Sequence, residues 1–390
     1  MDAFSGSRAQ GPRCIALVGP YLSGKTTLLE AMLYRTGAIE RQGRVSQRST
    51  VGDAAPEARA HGMSVELNTA FTNFLGDTYT FLDCPGSIEF MQDAHAALAG
   101  CDAAVVVCEP DDKKVPALQL ILKELDRLKV PRLLFINKID KTENRLRDLL
   151  AYLQPASSTP LVLRQIPIWK DGIATGFVDL ALERAFVYRE HAQSEIIEIP
   201  QDMREPEKEA RFAMLEKLAD YDDELMEQLL SDIEPPRDRI FSDLAQEVRD
   251  GLITPVLFGS AENGNGILRL LKALRHETPS IEATSKRLGV AANGAAAAQS
   301  LKTFHTAHGG KLTLARVLSG AVSDGQTLYG RRGQEARTAG LFQIMGAEQR
   351  KIASAKAGDT VALGRMEGMA TGETLSSAKG SARQALSLEV

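Results

Sequence analysis

The sequence predicts an α/β domain with a mostly parallel sheet and helices on both faces, interrupted by an inserted subdomain and followed by a small antiparallel β-barrel. Three observations predict it. From residue 13 to about 154, apolar strand-length runs alternate with helical stretches, the pattern of a parallel sheet covered on both faces. The alternation breaks over about 155–250 and returns at Leu252–Phe258. From about residue 300, short strands are punctuated by Gly309-Gly310, Ser319-Gly320, Asp324-Gly325, Gly358-Asp359 and Thr371-Gly372, as in a small antiparallel barrel.

Residues 1–12 carry no periodic pattern and are expected to be disordered. Strand candidates follow at 13–18, 65–74, 78–82, 103–108 and 132–136, with helical candidates at 24–35, 88–99, 114–128 and 142–153. Sheets of this kind bind ligands beyond the carboxyl ends of their strands. In the insertion, Ile166-Pro167-Ile168-Trp169 and Ile173–Val178 flank Asp171-Gly172, a hairpin signal. An acidic helical stretch then spaces Phe212, Leu215, Leu218, Leu225, Met226 and Leu229 at helical intervals. A sixth strand at Leu252–Phe258 and a closing helix at Gly266–Leu274 complete a domain over 13–278. Residues 279–299, ending in Gly289-Val290-Ala291-Ala292-Asn293-Gly294 and an Ala run, have linker composition, and 300–390 form the barrel.

A length of 390 residues suits two or three domains, and 44% hydrophobic with 25% charged residues is ordinary for a globular protein. The net charge of −5 gives no general pull toward nucleic acid or membrane. Residues 300–390 nevertheless hold 12 Lys and Arg against 7 Asp and Glu, so +5, which leaves −10 for the remainder. A basic barrel suits a polyanion such as ribosomal RNA, although an ordinary solvated surface explains it equally well. Cys14, Cys84, Cys101 and Cys108 make no C-x-x-C pair, so neither a disulfide framework nor a zinc site is expected. No run approaches 18 apolar residues and the N-terminus lacks a signal pattern, so a cytoplasmic protein without membrane contact is expected.

Gly19-Pro20-Tyr21-Leu22-Ser23-Gly24-Lys25-Thr26 follows the apolar run Cys14–Val18 and precedes Leu28, Leu29, Met32 and Leu33 at helical spacing. Strand, G-x-x-x-x-G-K-[ST] loop and helix in this order define a P-loop NTPase domain. Gly19 and Gly24 let backbone N–H groups turn toward phosphate oxygens, and the helix that follows, with Thr27 in its first turn, offers its positive end to the same anion. Lys25 reaches the β- and γ-phosphates, and the Thr26 hydroxyl suits Mg²⁺.

Asn137-Lys138-Ile139-Asp140 ends a later strand. A carboxylate has two acceptor oxygens and no donor. Asp140 therefore matches guanine N1–H and the exocyclic amine together, a donor pair adenine lacks. Asn137 is expected to tie this loop to the phosphate loop, and the Lys138 stem to cover one face of the base. Gly259-Ser260-Ala261 follows the last strand, with backbone N–H groups suited to guanine O6. Asp83-Cys84-Pro85-Gly86 ends another strand. There Asp83 would hold Mg²⁺ through water, and the Gly86 N–H would touch the γ-phosphate. Between Thr50 and Asn68, His61-Gly62-Met63-Ser64 offers a hydroxyl to complete the Mg²⁺ shell.

Together these segments resemble the translational GTPases, most closely elongation factor G. Asp83-Cys84-Pro85-Gly86-Ser87-Ile88-Glu89-Phe90 is similar to that family's D-T-P-G-H-V-D-F, and Asn137-Lys138-Ile139-Asp140 to its N-K-x-D. The insertion between Asp140 and Ser260 and the basic barrel resemble the family's extra subdomain and second domain. In that family three further domains follow, so the resemblance implies a fragment of a longer factor. Leu22 stands where the family usually has Asp, Ser64 where it has Thr, and Ser87 where its His positions the attacking water.

The resemblance implies a GTP-binding and GTP-hydrolysing switch, a monomer acting on the ribosome, with GTP or GDP and Mg²⁺ as cofactors. Lys25, Gly86 and Ser87 are the expected catalytic positions, and Thr26, Ser64 and Asp83 those at the metal. Slow hydrolysis is expected from Ser87 and Leu22. The alternative is a guanine-nucleotide-binding module with little hydrolysis. An ATP-using kinase or ATPase is disfavoured by Asp140.

Overall fold

The structure is a computed structural model that describes residues 10–51, 66–87, 91–141, 146–189, 192–290, 294–306 and 310–381. Packing divides it into two units. The first comprises Gln10–Ala104, Leu128–Val130 and Pro279–Val390; the second comprises Val105–Arg127 and Pro131–Thr278.

In the first unit, β1 (Arg13–Val18) is buried at every position, as a strand is when helices cover both faces of its sheet. α1 (Lys25–Thr36) buries Leu28, Leu29, Met32 and Leu33, the apolar stripe read from the sequence. It stops at Gly37, where a φ of 77° lets Gly37 N–H donate to Tyr34 O and Ala38 N–H to Leu33 O. β2 (Asn68–Phe74) and β3 (Asp77–Asp83) form an antiparallel hairpin, and β3 also pairs in parallel with β1. This delivers Asp83 to the carboxyl end of β3, in register with Leu17 near the end of β1. Helix α2 (Met91–Gly100) follows.

β4 (Ala103–Cys108) crosses the division between units and is buried throughout. In the second unit, α3 (Val115–Arg127) buries Leu118, Ile121, Leu122 and Leu125. β5 (Arg132–Ile136), α4 (Leu146–Leu153) and β6 (Leu161–Leu163) follow. β7 (Gln165–Lys170), β8 (Ile173–Asp179), β9 (Arg184–Val187) and β10 (Glu195–Ile197) form a separate antiparallel sheet in the order β10-β9-β8-β7, with β7 and β8 turned at Asp171-Gly172. Helices α5 (Arg204–Ala219), α6 (Asp223–Leu230) and α7 (Arg237–Arg249) then lead to β11 (Thr254–Phe258) and α8 (Ile267–Glu277). β11 pairs in parallel with both β5 and β6.

Two details of this unit differ from the sequence reading. β6 lies inside the stretch read as insertion, yet it is a strand of the parallel sheet; three residues are too few to carry a periodicity. Phe212, grouped with the apolar face of the acidic helices, is 51% exposed, whereas Leu215, Leu218 and Leu225 are buried.

The chain re-enters the first unit through α9 (Ile281–Arg287), so part of the stretch with linker composition is helical. Ile281 and Leu288 are buried. The Ala run is core rather than linker: Ala296 and Ala298 pack with Val317, Leu341 and Leu375. The backbone there runs close to Gly320, where an added Cβ would lie 2.9 Å from Ala296 Cα. The barrel strands are β12 (Ala297–Thr306), β13 (Gly310–Ser319), β14 (Ala321–Ser323), β15 (Thr327–Tyr329), β16 (Glu335–Arg337), β17 (Leu341–Met345), β18 (Glu348–Ile352), β19 (Ser354–Lys356), β20 (Thr360–Gly364) and β21 (Thr374–Ser376). Eight of them form an antiparallel half-barrel in the order β16-β15-β21-β12-β13-β20-β17-β18, and β14 pairs with β19. Residues from both sheets share one core.

A buried ion pair joins the barrel to the first strands. Asp102 and Arg316 are both 0% exposed. Asp102 Oδ2 accepts from Cys14 N at 2.7 Å and from Arg316 Nη2 at 2.5 Å, while Oδ1 accepts from Thr284 Oγ1 at 2.7 Å. Arg316 also donates to the carbonyls of Pro12 and Gly358. One carboxylate thus ties β1, α9 and β13 together. All four cysteines are buried free thiols. Burial pushes the Cys14 thiol up to about 11 and Cys108 up to about 12, so both behave as inert core residues. No described helix is long and apolar enough to cross a membrane.

Candidate nucleotide-binding site

The phosphate loop lies wholly in the first unit. Gly19 and Pro20 are buried, Tyr21 and Leu22 are exposed, and Ser23 is buried. Ser23 N–H donates to Pro20 O, closing the turn. Gly24 opens α1 with a φ of 93°, a left-handed conformation that glycine adopts without a Cβ clash. Leu22 also has a positive φ, 61°, unusual for a branched apolar residue. The loop thus holds a strained leucine with its side chain outward, 58% exposed.

Lys25 is 6% exposed and its ammonium lies within the loop, donating to Gly19 O at 3.1 Å and Pro20 O at 3.3 Å. Burial lowers its pKa, and the Asp83 carboxylate opposes that shift. Thr26 Oγ1 donates to Asp83 Oδ2 at 2.7 Å, and Thr27 continues the first turn. A hydroxyl and a carboxylate in contact beside an anion-binding loop are hard oxygen donors of the kind Mg²⁺ takes, with water and phosphate filling its other positions. No cluster of three or more His, Cys, Asp or Glu that could hold a metal ion is present among the described residues. Gly86 lies close against the loop: a Cβ there would lie 2.3 Å from Lys25 Nζ and 3.2 Å from Gly19 O. Ser87 follows it and is half-buried. Ser64 and His61 lie outside the described residues.

The base-recognition segments lie in the second unit. Asn137 N–H donates to Cys108 O at 2.7 Å, and Gly259 N–H to Ile136 O at 3.0 Å, so two strand ends carry the two loops. Side chains lace the loops together. Asn137 Oδ1 accepts from Lys138 N and Ala261 N, both at 2.9 Å. Asp140 Oδ2 accepts from Asn263 Nδ2 at 3.3 Å, and Lys141 pairs with Glu262 at 2.8 Å. Asp140 Oδ1 is buried and has no hydrogen-bond partner among the described residues. Such an oxygen is costly to leave unsatisfied and suits a ligand N–H.

Ser260 and Ala261 are buried beside this carboxylate loop. Their N–H groups already donate, Ser260 to Asn265 O at 3.1 Å and Ala261 to Asn137 Oδ1 at 2.9 Å. Lys138 sits at φ 61°, and burial lowers its pKa. Its ammonium pairs with Glu109 at 2.7 Å. Sequence reasoning missed Glu109 and Asn263. Both had a usable signal, because each follows a strand end as the other site residues do.

With these geometries in hand, the fold and the loops define the GTP-binding domain of a translational GTPase. Residues 11–280 match the family model "Elongation factor Tu GTP binding domain", and residues 296–378 match "Elongation factor G domain 2". The chain is 40% identical over 368 residues to the "Elongation factor G-like protein" of Synechocystis sp., covering 94% of this chain and 54% of that one. It is 29% identical over 379 residues to "Elongation factor G 1" of Geobacter sulfurreducens, covering 93% of this chain and 55% of the relative. A crystal structure of a Thermus thermophilus protein superposes with a TM-score of 0.83 at 29% identity, over 95% of this chain and 54% of that chain. The chain belongs to the elongation factor G-like translational GTPases. It spans about half the length of the curated relatives it matches.

Proposed function

We propose that the chain binds guanine nucleotide and hydrolyses GTP to GDP and phosphate, acting as the monomeric switch of an elongation factor G-like protein on the ribosome, in the cytoplasm. The observation that carries the base preference is the buried, unpartnered Oδ1 of Asp140 beside an Oδ2 that already has Asn263. Guanine N1–H and the 2-amino group supply donors for such a carboxylate, and adenine does not. Gly19, Pro20, Tyr21, Leu22, Ser23, Gly24, Lys25, Thr26, Thr27 and Gly86 would hold the phosphates, and Asn137, Lys138, Asp140, Ser260 and Ala261 the base. Thr26, Asp83 and Ser64 would hold Mg²⁺, which supplies charge neutralisation on the phosphoryl oxygens.

In this reading the Lys25 ammonium counters charge developing on the transferred phosphoryl group. Ser87 or backbone groups place the attacking water. A serine hydroxyl is shorter than an imidazole and cannot become a cation, so the chemical step is slow. Release of phosphate frees the Gly86 loop.

Leu22 and Ser87 favour a second reading, a guanine-nucleotide-binding module with little hydrolysis. Displacement of a fluorescent GDP by GTP but not by ATP supports guanine binding, and equal displacement by ATP contradicts it. Single-turnover hydrolysis with and without ribosomes separates the two readings. Ribosome-stimulated release of phosphate supports the switch, and none at saturating GTP supports the module.

A further inference from the structure

Glu109 is the first residue beyond β4, and Pro110 follows it. Its carboxylate is 15% exposed and pairs with two ammonium groups, Lys138 at 2.7 Å and Lys114 in the short helical turn Asp112–Lys114. Lys138 is thus held at both ends. Its backbone is fixed in the left-handed region at φ 61°, and its tip is fixed by Glu109. Backbone of this kind, held against its preference, concentrates at ligand sites.

We infer that Glu109, itself held by Lys114, is a positioning residue that pre-extends the Lys138 stem as an apolar platform for the purine ring. The inference rests on the proposed guanine site. A free lysine side chain loses much of its rotamer freedom when a ligand orders it. A stem already stretched between its backbone and Glu109 avoids most of that loss. The platform reads no hydrogen-bond pattern, so its effect is the same for any purine, whereas Asp140 reads the guanine edge.

The test measures affinities and dissociation rates of GDP and IDP for wild type and Glu109→Gln. Gln keeps the shape but removes the charge that holds Lys138. We expect Glu109→Gln to weaken GDP and IDP alike by about 5- to 30-fold through faster dissociation. In a Lys138→Met background the same change should alter affinity by less than about twofold. Lys114→Met, which leaves Glu109 and Lys138 in place, should weaken both ligands by about two- to threefold. A residue that merely balanced charge would act with the opposite sign, because Gln would leave two ammonium groups uncompensated near an anionic ligand and tighten binding. Unchanged or tighter binding by Glu109→Gln overturns the inference, as does an equal loss in the Lys138→Met background. Asp140→Asn separates this from failure of the site itself. If that variant turns from GDP to XDP while Glu109→Gln changes nothing, the site stands and the platform does not. If Asp140→Asn leaves the preference unchanged, the base pocket and the platform fall together.

Discussion

Removing one partner of the Asp102–Arg316 pair should be among the most damaging single changes in the first unit. Asp102→Ala leaves the Arg316 guanidinium charged and 0% exposed. It also strips acceptors from Cys14 N and Thr284 Oγ1, whose bonds to Asp102 are both 2.7 Å. Breaking a buried pair from one side costs about 3–5 kcal/mol, and each buried donor left unsatisfied adds about 1–3 kcal/mol. Arg316 keeps its bonds to the Pro12 and Gly358 carbonyls, which offsets part of this, so a total near the low end of the sum, about 5 kcal/mol, is expected. At about 2–4 °C per kcal/mol for a unit of this size, the melting midpoint falls by about 10–20 °C. Asp102→Leu with Arg316→Met removes both charges and replaces them with apolar volume, so it should recover the part of the loss that comes from the unpaired charge, while Cys14 N and Thr284 Oγ1 stay without their acceptor. The assay is a thermal melt of wild type, Asp102→Ala, Arg316→Met and the double variant, followed by far-UV circular dichroism. A drop below about 2 °C for Asp102→Ala, or additive losses in the double variant, would refute the claim that this pair locks the barrel to β1.

Three further outcomes follow from the geometry. Gly86→Ala puts a methyl 2.3 Å from Lys25 Nζ, so the flexible ammonium swings away from Gly19 and Pro20. GTP hydrolysis should fall about 10²–10³-fold with the melting midpoint nearly unchanged, and wild-type turnover in phosphate-release assays would contradict this. Ser87→His should raise ribosome-stimulated hydrolysis by at least about tenfold with little change in nucleotide affinity; if His and Ala at 87 both match wild type, the position has no catalytic part. Burial, with Asp243 and Asp222 beside it, pushes Glu247 from 4.5 up to about 8. The folded chain then keeps a proton that the unfolded chain releases, so stability is full below about pH 4.5 and declines as pH rises through 8. Glu247→Gln should melt a few degrees above wild type at about pH 9 and coincide with it near pH 5; a pH-independent difference would contradict the assignment.

The phosphate half of the candidate site was legible because it is local. Eight consecutive residues, Gly19–Thr26, carry the loop, and the apolar runs on either side announce strand and helix. Asp83, Asn137 and Asp140 were legible for a related reason, since each follows an apolar run of strand length. The pairs that hold these elements were not legible. Asp102 and Arg316 are 214 positions apart, and Arg316 sits inside an apolar strand whose sequence gives no hint of a buried acid to meet it. Lys138 was read as a base-covering stem, but its anchor, Glu109, lies 29 positions earlier. Composition misled at the Ala run that leads into β12, where Ala296 and Ala298 are part of the barrel core.

Guanine selection by Asp140 is measured by titrating wild type and Asp140→Asn with GDP and XDP in the presence of Mg²⁺. The Asn amide donates where the carboxylate accepts, so it meets the xanthine 2-oxo group and no longer matches the guanine amine. Wild type should prefer GDP and Asp140→Asn should prefer XDP, each by at least about tenfold. An Asp140→Asn protein that keeps the wild-type preference for GDP would contradict selection by Asp140.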